Sequence, residues 1–159
     1  MFIYGHKVNQ LARLFMKRFN EEFALSGLYS SQWGFILHLY EQGFCTQKEL
    51  SEYLSIEPPT VTRTLVRMEE AGWVIKEEGA DRRERKVHLS PEAYENFFAW
   101  QKNSDSLEME ALANIPEADL EVFTSVLQQM MDNLRKSSHT KSKNIRIGNK
   151  NEIRESRKK

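Results

Sequence analysis

The chain has 159 residues, of which 40% are hydrophobic and 29% charged, and this composition suits one globular domain with a modest core. No apolar run approaches the ~20 residues that cross a bilayer, and the N-terminus lacks the basic and apolar segments of a secretory signal. The single cysteine, Cys45, excludes an intramolecular disulfide framework. We therefore exclude membrane-spanning and disulfide-rich secreted proteins and expect a cytoplasmic protein.

The net charge of zero conceals an asymmetry along the chain. Residues 1–134 carry 13 Lys and Arg against 21 Asp and Glu, a net charge of −8, whereas residues 135–159 carry 10 against 2, a net charge of +8. The last stretch has few large apolar side chains with which to offset the entropy of ordering. We interpret residues 137–159 as a basic, disordered tail, either a phosphate-binding arm or an inert solvated segment.

The first third of the chain predicts two amphipathic helices. Apolar residues at helical spacing run from about Val8 to Leu25. Ser30 or Ser31 can cap a second helix, and Gly43 ends it.

The middle of the chain shows the pattern of a helix-turn-helix. Thr46 and Glu49 form a capping box, in which each side chain accepts a hydrogen bond from the amide of the other residue, so a short helix begins here. Pro58 suits the first turn of a second helix, which runs to about Ala71 before a stop at Gly72. The spacing predicts an inward stripe on this second helix, formed by Val61, Leu65 and Met68.

Two short β-rich segments follow, 73–76 and 86–89, separated by turn residues and a charged stretch. They predict a β-hairpin whose tip, from Asp81 to Lys86, forms a wing. Ser90 then caps a long helix, and the chain restarts at Pro116 with a last one. Its apolar residues repeat in steps of three and four, typical of a helix that packs against other helices: Leu120, Phe123, Leu127, Met130 and Leu134.

The order of these elements and three motifs resemble a known family. The motifs are Gln47-Lys48-Glu49-Leu50, Thr60-Val61-Thr62-Arg63 continuing into Met68-Glu69-Glu70-Ala71-Gly72-Trp73-Val74, and Asp81-Arg82-Arg83-Glu84-Arg85-Lys86-Val87-His88-Leu89-Ser90. Together they make the chain resemble the MarR family of winged helix-turn-helix regulators over roughly residues 4–136. Pro58-Pro59 departs from the small polar cap that the family often has at the start of its recognition helix.

The resemblance implies a mainly α fold, with a winged helix-turn-helix at residues 29–90 and a helical dimerisation region made of residues 1–28 and 91–136. Members of the family are typically homodimers on double-stranded DNA, with recognition helices in successive major grooves and wings in flanking minor grooves. We expect a repressor that occupies a pseudo-palindromic operator and is released by a small-molecule effector.

The face of the second helix opposite its inward stripe carries the candidate DNA contacts: Pro59, Thr60, Arg63 and Arg67, with Thr62 at the margin. Arg63 is the candidate for direct readout, because arginine can bond guanine O6 and N7 through two donors. Arg67 is the candidate for a phosphate contact. A solvated helix face is the alternative interpretation.

The cations of the wing, Arg82, Arg83 and Arg85, suit the negative potential of a narrow minor groove. The D-x-R pattern of the family implies that Asp81 braces the hairpin and that Arg83 enters the groove. The alternative is a solvated charged turn.

An effector site is implied only by the resemblance. The family often binds small aromatic or anionic ligands in a cleft, and the candidates to line it are Phe15, Phe19, Trp33 and His38, for which plain core packing is the alternative. Cys45 offers a thiol-redox-responsive regulator as another alternative. His38 and Glu41 are too few ligands for a metal site, and we expect neither a metal nor a cofactor.

Two other classes of protein compete with a DNA-binding regulator. A winged-helix protein-interaction module without DNA binding is expected to lack the cations at Arg63, Arg67 and Arg83. An enzyme is disfavoured, because the sequence has no phosphate-binding glycine loop, no nucleophile elbow and no cluster of metal ligands.

Overall fold

The computed structural model describes residues 3–77 and 85–155, and side chains as far as Lys136. Within these ranges the elements are α1 (Tyr4–Glu22), α2 (Ser30–Gln42), β1 (Cys45–Thr46), α3 (Gln47–Leu54), α4 (Pro58–Glu70), β2 (Val74–Lys76), β3 (Lys86–Leu89), α5 (Pro91–Ala111) and α6 (Glu117–Glu155). The chain forms two compact units, residues 1–111 and residues 112–159, and the first contains every element except α6. This mainly helical fold with a small antiparallel sheet confirms the predicted fold class.

The two N-terminal helices form close to the predicted positions. α1 begins before the predicted Val8, since a nucleated helix extends into adjoining residues at little cost. The predicted serine cap of α2 is wrong, because Tyr29 is the N-cap residue and its amide donates to Gln32 Oε1 at 3.1 Å. Gly43, with φ of +77°, ends α2 in the left-handed region that glycine enters without strain.

The helix-turn-helix has the predicted local structure. Glu49 N donates to Thr46 Oγ1 at 3.2 Å and Thr46 N donates to Glu49 Oε2 at 2.7 Å, which confirms the capping box of α3. The turn passes through Ser55, with φ of +54°, before Pro58 opens α4. α4 then ends at the predicted stop, because Gly72 follows it with φ of +82°.

The sheet has the order β1-β3-β2, and all its strands are antiparallel. β2 and β3 form the predicted hairpin, in which Val74 lies opposite Leu89. β1 was not predicted, since two residues are too few to show a periodicity; in it Cys45 pairs with Val87. The hairpin tip at residues 78–84 lies outside the described residues.

An aromatic cluster ties α1, α2 and α5 together. The rings of Phe19 and Phe23 stack with centroids 3.9 Å apart, and Trp33 lies 6.0 Å from Phe97. Tyr40, two turns further along α2 than Trp33, also stacks on Phe97, with ring centroids 3.5 Å apart. Burying side chains of this size contributes roughly 1.5–3 kcal/mol each, so the cluster is a large part of the core that supports the sheet and α4.

Ser90 joins the end of the hairpin to α5. Its Oγ donates to the carbonyl of Gly72 at 2.6 Å and accepts from Ala93 N at 3.1 Å. The second contact confirms the predicted helix cap, and the first connects it to the end of α4.

The second unit contains α6, which begins at Glu117 directly after Pro116, as predicted. The helix continues to Glu155, so the backbone of residues 137–155 is helical where the sequence interpretation expected disorder. The difference has a physical reason: this stretch has one glycine and no proline, and extending an existing helix avoids the cost of a new nucleus. Among the described helices, none combines the length and apolarity that a bilayer span requires.

Candidate nucleic-acid interface

α4 has one face in the core and one in solvent. The predicted inward residues Val61, Leu65 and Met68 are completely buried. The predicted contact residues are all exposed on α4: Pro59, Thr60, Thr62, Arg63 and Arg67. The core contacts of the inward stripe therefore hold a rigid helix whose outer surface is polar and cationic.

Arg63 and Thr60 form a pair on the outer face of α4. Arg63 Nη2 donates to Thr60 Oγ1 at 3.2 Å, and both residues are exposed. A guanidinium has five N–H donors, so a single contact to a hydroxyl restricts the orientation of the side chain without using its capacity for a bidentate contact. The pair is a preoriented donor group near the start of the helix.

Thr62 connects α4 to α3 instead of projecting freely. Its Oγ1 lies 3.1 Å from both Gln47 Oε1 and the carbonyl oxygen of Pro58, and its one proton can be donated to either. Gln47 opens α3 directly after the capping box, so the contact sets the spacing between the two helix starts. This role of Gln47 was not predicted from the sequence, and its position as the first residue after a helix cap is the signal that could have found it.

Arg67 lies one turn further along α4, in the last turn of the helix. It lines a surface cavity of about 400 Å³ together with Thr64 of α4 and with Tyr29, Ser31 and other residues at the start of α2. A cation beside hydroxyl groups and the N-terminal end of a helix is an environment that favours an anion. The position is compatible with the predicted phosphate contact.

Val66 adds an apolar element to this surface that was not predicted from the sequence. It is 41% exposed although it belongs to α4. Its spacing of three residues from Arg63 is the signal that could have identified it, because residues three apart share a helix face. A methyl-bearing side chain there can contact the methyl group of thymine.

The wing residues are only partly within the described ranges. Asp81, Arg82 and Arg83 lie outside them, whereas Arg85 and Lys86 lie at the base of the hairpin. Lys86 Nζ sits 4.1 Å from the centroid of the Phe44 ring, a cation–π contact that holds this cation against the body. The Nε atom of Arg85 is buried and has no hydrogen-bond partner among the described residues.

The four candidates for an effector cleft do not lie together. Phe19 and Trp33 belong to the buried aromatic cluster, against which Phe15 packs. His38 instead stacks on Tyr53 of α3 with centroids 3.7 Å apart. Its ring therefore belongs to the contact between α2 and α3.

Cys45 lacks the properties of a reactive thiol. Its side chain is 3% exposed, and burial, followed by the negative charge of Glu49, raises the pKa of the thiol. A protonated and inaccessible sulfur is a poor nucleophile, which argues against the redox alternative. Within the described ranges, no three His, Cys, Asp or Glu side chains are grouped as metal ligands.

α3 and α4 form a helix-turn-helix, the β2–β3 hairpin follows them in the chain, and the outer face of α4 is exposed. These features define a winged helix-turn-helix protein. A sequence profile of the MarR family matches residues 26–84. The HTH-type transcriptional regulator YwoH of Bacillus subtilis (strain 168) is 41% identical over 126 residues, which cover 79% of this chain and 92% of YwoH. The chain therefore belongs to the MarR family of transcriptional regulators.

Solved structures share the fold. A MarR transcriptional regulator from Methanosarcina mazei Go1 superposes with a TM-score of 0.75 at 22% identity, over 84% of this chain and 96% of that one. A MarR family regulator from Listeria monocytogenes, solved in complex with a 26mer DNA, has a TM-score of 0.75 at 20% identity, over 84% of this chain and 89% of its own. This likeness confirms the predicted winged helix-turn-helix fold.

Proposed function

We propose that this chain is a sequence-specific regulator that binds double-stranded DNA as a homodimer, with α4 as the recognition helix. The observation that carries the proposal is the division of α4 into a buried stripe and an exposed face bearing Thr60, Arg63 and Arg67. A helix presented in this way fits the width of the major groove. A structural neighbour from Listeria monocytogenes was solved in complex with a 26mer DNA, which supports DNA binding by a protein of this fold.

Within the major groove the residues of α4 have different roles. Arg63 reads guanine through O6 and N7, while Thr60 holds its guanidinium and contacts a neighbouring base edge. Val66 contacts a thymine methyl group, and Arg67 neutralises a phosphate. Thr62 keeps α4 in register with α3.

The wing supplies the second contact. Arg82, Arg83 and Arg85 lie in the sequence between β2 and β3, whose pairing brings the two ends of the loop together. We propose that Arg83 enters the minor groove while Asp81 braces the loop. Cations of this kind are attracted to a narrow, strongly negative groove.

A dimer is supported by the apolar residues that α1 and α6 leave exposed. On α1 these include Val8, Leu11 and Leu14, and on α6 they include Val122, Phe123 and Val126. Large exposed apolar side chains on two helices are typical of surfaces that pack against another chain. Two recognition helices then bind half-sites ~10 base pairs apart, centre to centre.

We further propose that the dimer represses by occupying a promoter and is released by a small aromatic or anionic effector. The effector has to bind the DNA-incompetent state more tightly than the competent one, and this difference in affinity sets the extent of release. Of the four candidate residues, Phe15 and His38 are partly exposed and retain surface with which a ligand could interact. Phe19 and Trp33 would respond to it through packing.

The test is selection from a randomised duplex pool, followed by affinity measurements on the selected site and on random duplex at one salt concentration. We expect wild type to enrich an inverted repeat. Arg63→Ala should lose ~1–3 kcal/mol per half-site on the selected sequence and much less on random duplex, because it removes a base contact. Arg13→Ala removes the same charge from an exposed position of α1 and should leave both affinities unchanged.

Two results would contradict the proposal. Equal losses for Arg63→Ala on both duplexes would make Arg63 a phosphate contact instead of a base contact. If wild type enriches no sequence at any salt concentration, the winged helix serves as a protein-interaction module.

A further inference from the structure

The C-terminal half of α6 carries a row of cationic positions along one side of the helix. Lys143, Arg146, Lys150 and Arg154 follow one another in steps of three, four and four residues. At 3.6 residues per turn these four positions fall within an arc of about 80° around the helix axis. Lys136 occupies the same row two turns earlier.

The acidic residues of this stretch are kept away from the row. Glu152 lies about 160° and Glu155 about 140° from the centre of the arc, so both occupy the far side of the helix. Such a separation requires a helical backbone, since in an irregular chain the same residues would have no common face. The four cationic positions are called the C-terminal basic face below.

We propose that the C-terminal basic face binds the phosphate backbone of double-stranded DNA next to the operator without reading its sequence. From Lys143 to Arg154 the face extends about 16 Å at a rise of 1.5 Å per residue. Duplex DNA presents one negative charge per ~1.7 Å of its axis, so a row of this length faces several phosphates at once. This inference rests on the proposed function, because it is α4 that places the protein at its operator.

The charge of the rest of the chain gives this face a physical purpose. Residues 1–134 have a net charge of −8, which repels DNA everywhere outside the recognition surface. Residues 135–159 carry +8 and offset that repulsion. Because attraction to phosphates acts over a Debye length of ~10 Å, the basic face raises the affinity for any duplex and accelerates encounter with DNA.

The pattern favours a duplex over a membrane surface. A helix that lies on a bilayer needs an apolar face opposite its cations. Here the positions across from the basic face include Lys141, Gly148 and Glu152, with Ile145 as the one large apolar residue among them. A far side composed mainly of polar residue types gains little from insertion into a bilayer and suits a helix that contacts the phosphate backbone.

The test measures affinity of the full-length protein for random-sequence duplex across KCl concentrations between about 50 and 200 mM. A neutral variant combines Lys143→Gln, Arg146→Gln, Lys150→Gln and Arg154→Gln, which keeps residues of good helix propensity. We expect the slope of log K against log salt to fall by about 0.9 for each phosphate that the variant no longer neutralises, hence by as much as about 3.6 per chain. Dimerisation and helix content by circular dichroism should not change.

A matched control variant tests whether DNA binding depends on the position of the cations on the helix or only on the net charge. It exchanges Lys143 with Ile145 and Lys150 with Glu152, so composition and charge stay constant while two cations move to the far side of the helix. We expect this variant to lose about half of the slope that the neutral variant loses. An exchange variant that binds like wild type while the neutral variant is weakened would overturn the role of the helical face.

The remaining outcomes distinguish this inference from the proposed function. If the neutral variant has the same salt dependence as wild type, the inference is overturned. If the neutral variant binds DNA more tightly than wild type, the inference is also overturned, because the basic face would then bind the acidic surface of the protein itself. In both cases enrichment of an operator by wild type leaves the proposed function intact. Conversely, a slope that depends on the basic face without any enriched sequence supports the inference and removes the sequence-specific function.

Discussion

Replacing Ser90 with alanine tests how the base of the wing is held. Ser90 is 7% exposed, and its hydroxyl is both the N-cap acceptor for Ala93 N and a donor to the carbonyl of Gly72. Loss of a helix cap costs ~0.5–2 kcal/mol, and loss of the second hydrogen bond costs ~0.5–1.5 kcal/mol. We therefore expect Ser90→Ala to lower the free energy of unfolding by about 1–3.5 kcal/mol.

The measurement is urea unfolding followed by circular dichroism, with unfolding midpoint and m-value fitted together at one protein concentration. Ser90→Gly separates the contribution of the helix cap from that of the hydrogen bond to Gly72. Glycine at an N-cap costs only a few tenths of a kcal/mol relative to serine, but it still removes the hydrogen bond to Gly72. Ser106→Ala changes an exposed serine of the same helix and should stay within about 0.5 kcal/mol of wild type. A loss below about 0.5 kcal/mol for Ser90→Ala would refute the additive reasoning.

Two further predictions concern titratable groups near the start of α3. Hydrogen bonds from the amide and hydroxyl of Thr46 lower the pKa of Glu49 in the folded state. The charged carboxylate therefore stabilises the fold at pH values above its unfolded pKa of about 4.3. This stabilisation is lost as the pH falls through the lowered pKa of the folded state. The stability difference between wild type and Glu49→Gln should therefore shrink on acidification in urea unfolding, and a pH-independent difference would contradict this. The pKa of Cys45 is raised by burial, so alkylation by iodoacetamide near neutral pH should be much slower in native than in urea-unfolded protein; comparable rates would show an accessible thiolate.

Short-range features of the fold were predictable because they depend on neighbouring residues. The capping box of Thr46 and Glu49 satisfies backbone donors within one turn of helix, and it formed as expected. The inward stripe of α4 followed from spacing alone, since only one face of a helix can enter a core. The surface of α4 that remains exposed was therefore predictable as well.

Other features depended on partners distant in sequence. The strand β1 exists because Cys45 pairs with Val87, more than forty positions away, and two residues carry no local signal of this. Likewise, the spacing of aromatic residues on α2 could not show that Trp33 packs on Phe97 whereas His38 stacks on Tyr53. These contacts are decided by which helices pack on each side of α2.

The sequence by itself determined where α3 and α4 begin and end, which face of α4 is buried, and which family the chain resembles. It could do so because caps, glycine stops and helical periodicity act over a few residues. Tertiary structure decided that Thr62 bonds Gln47, that Lys86 is held by Phe44, and that Cys45 is buried. Each of these depends on backbone segments that are brought together only when the core forms. The chemistry of a side chain is written in the sequence, but its accessibility is set by the packing around it.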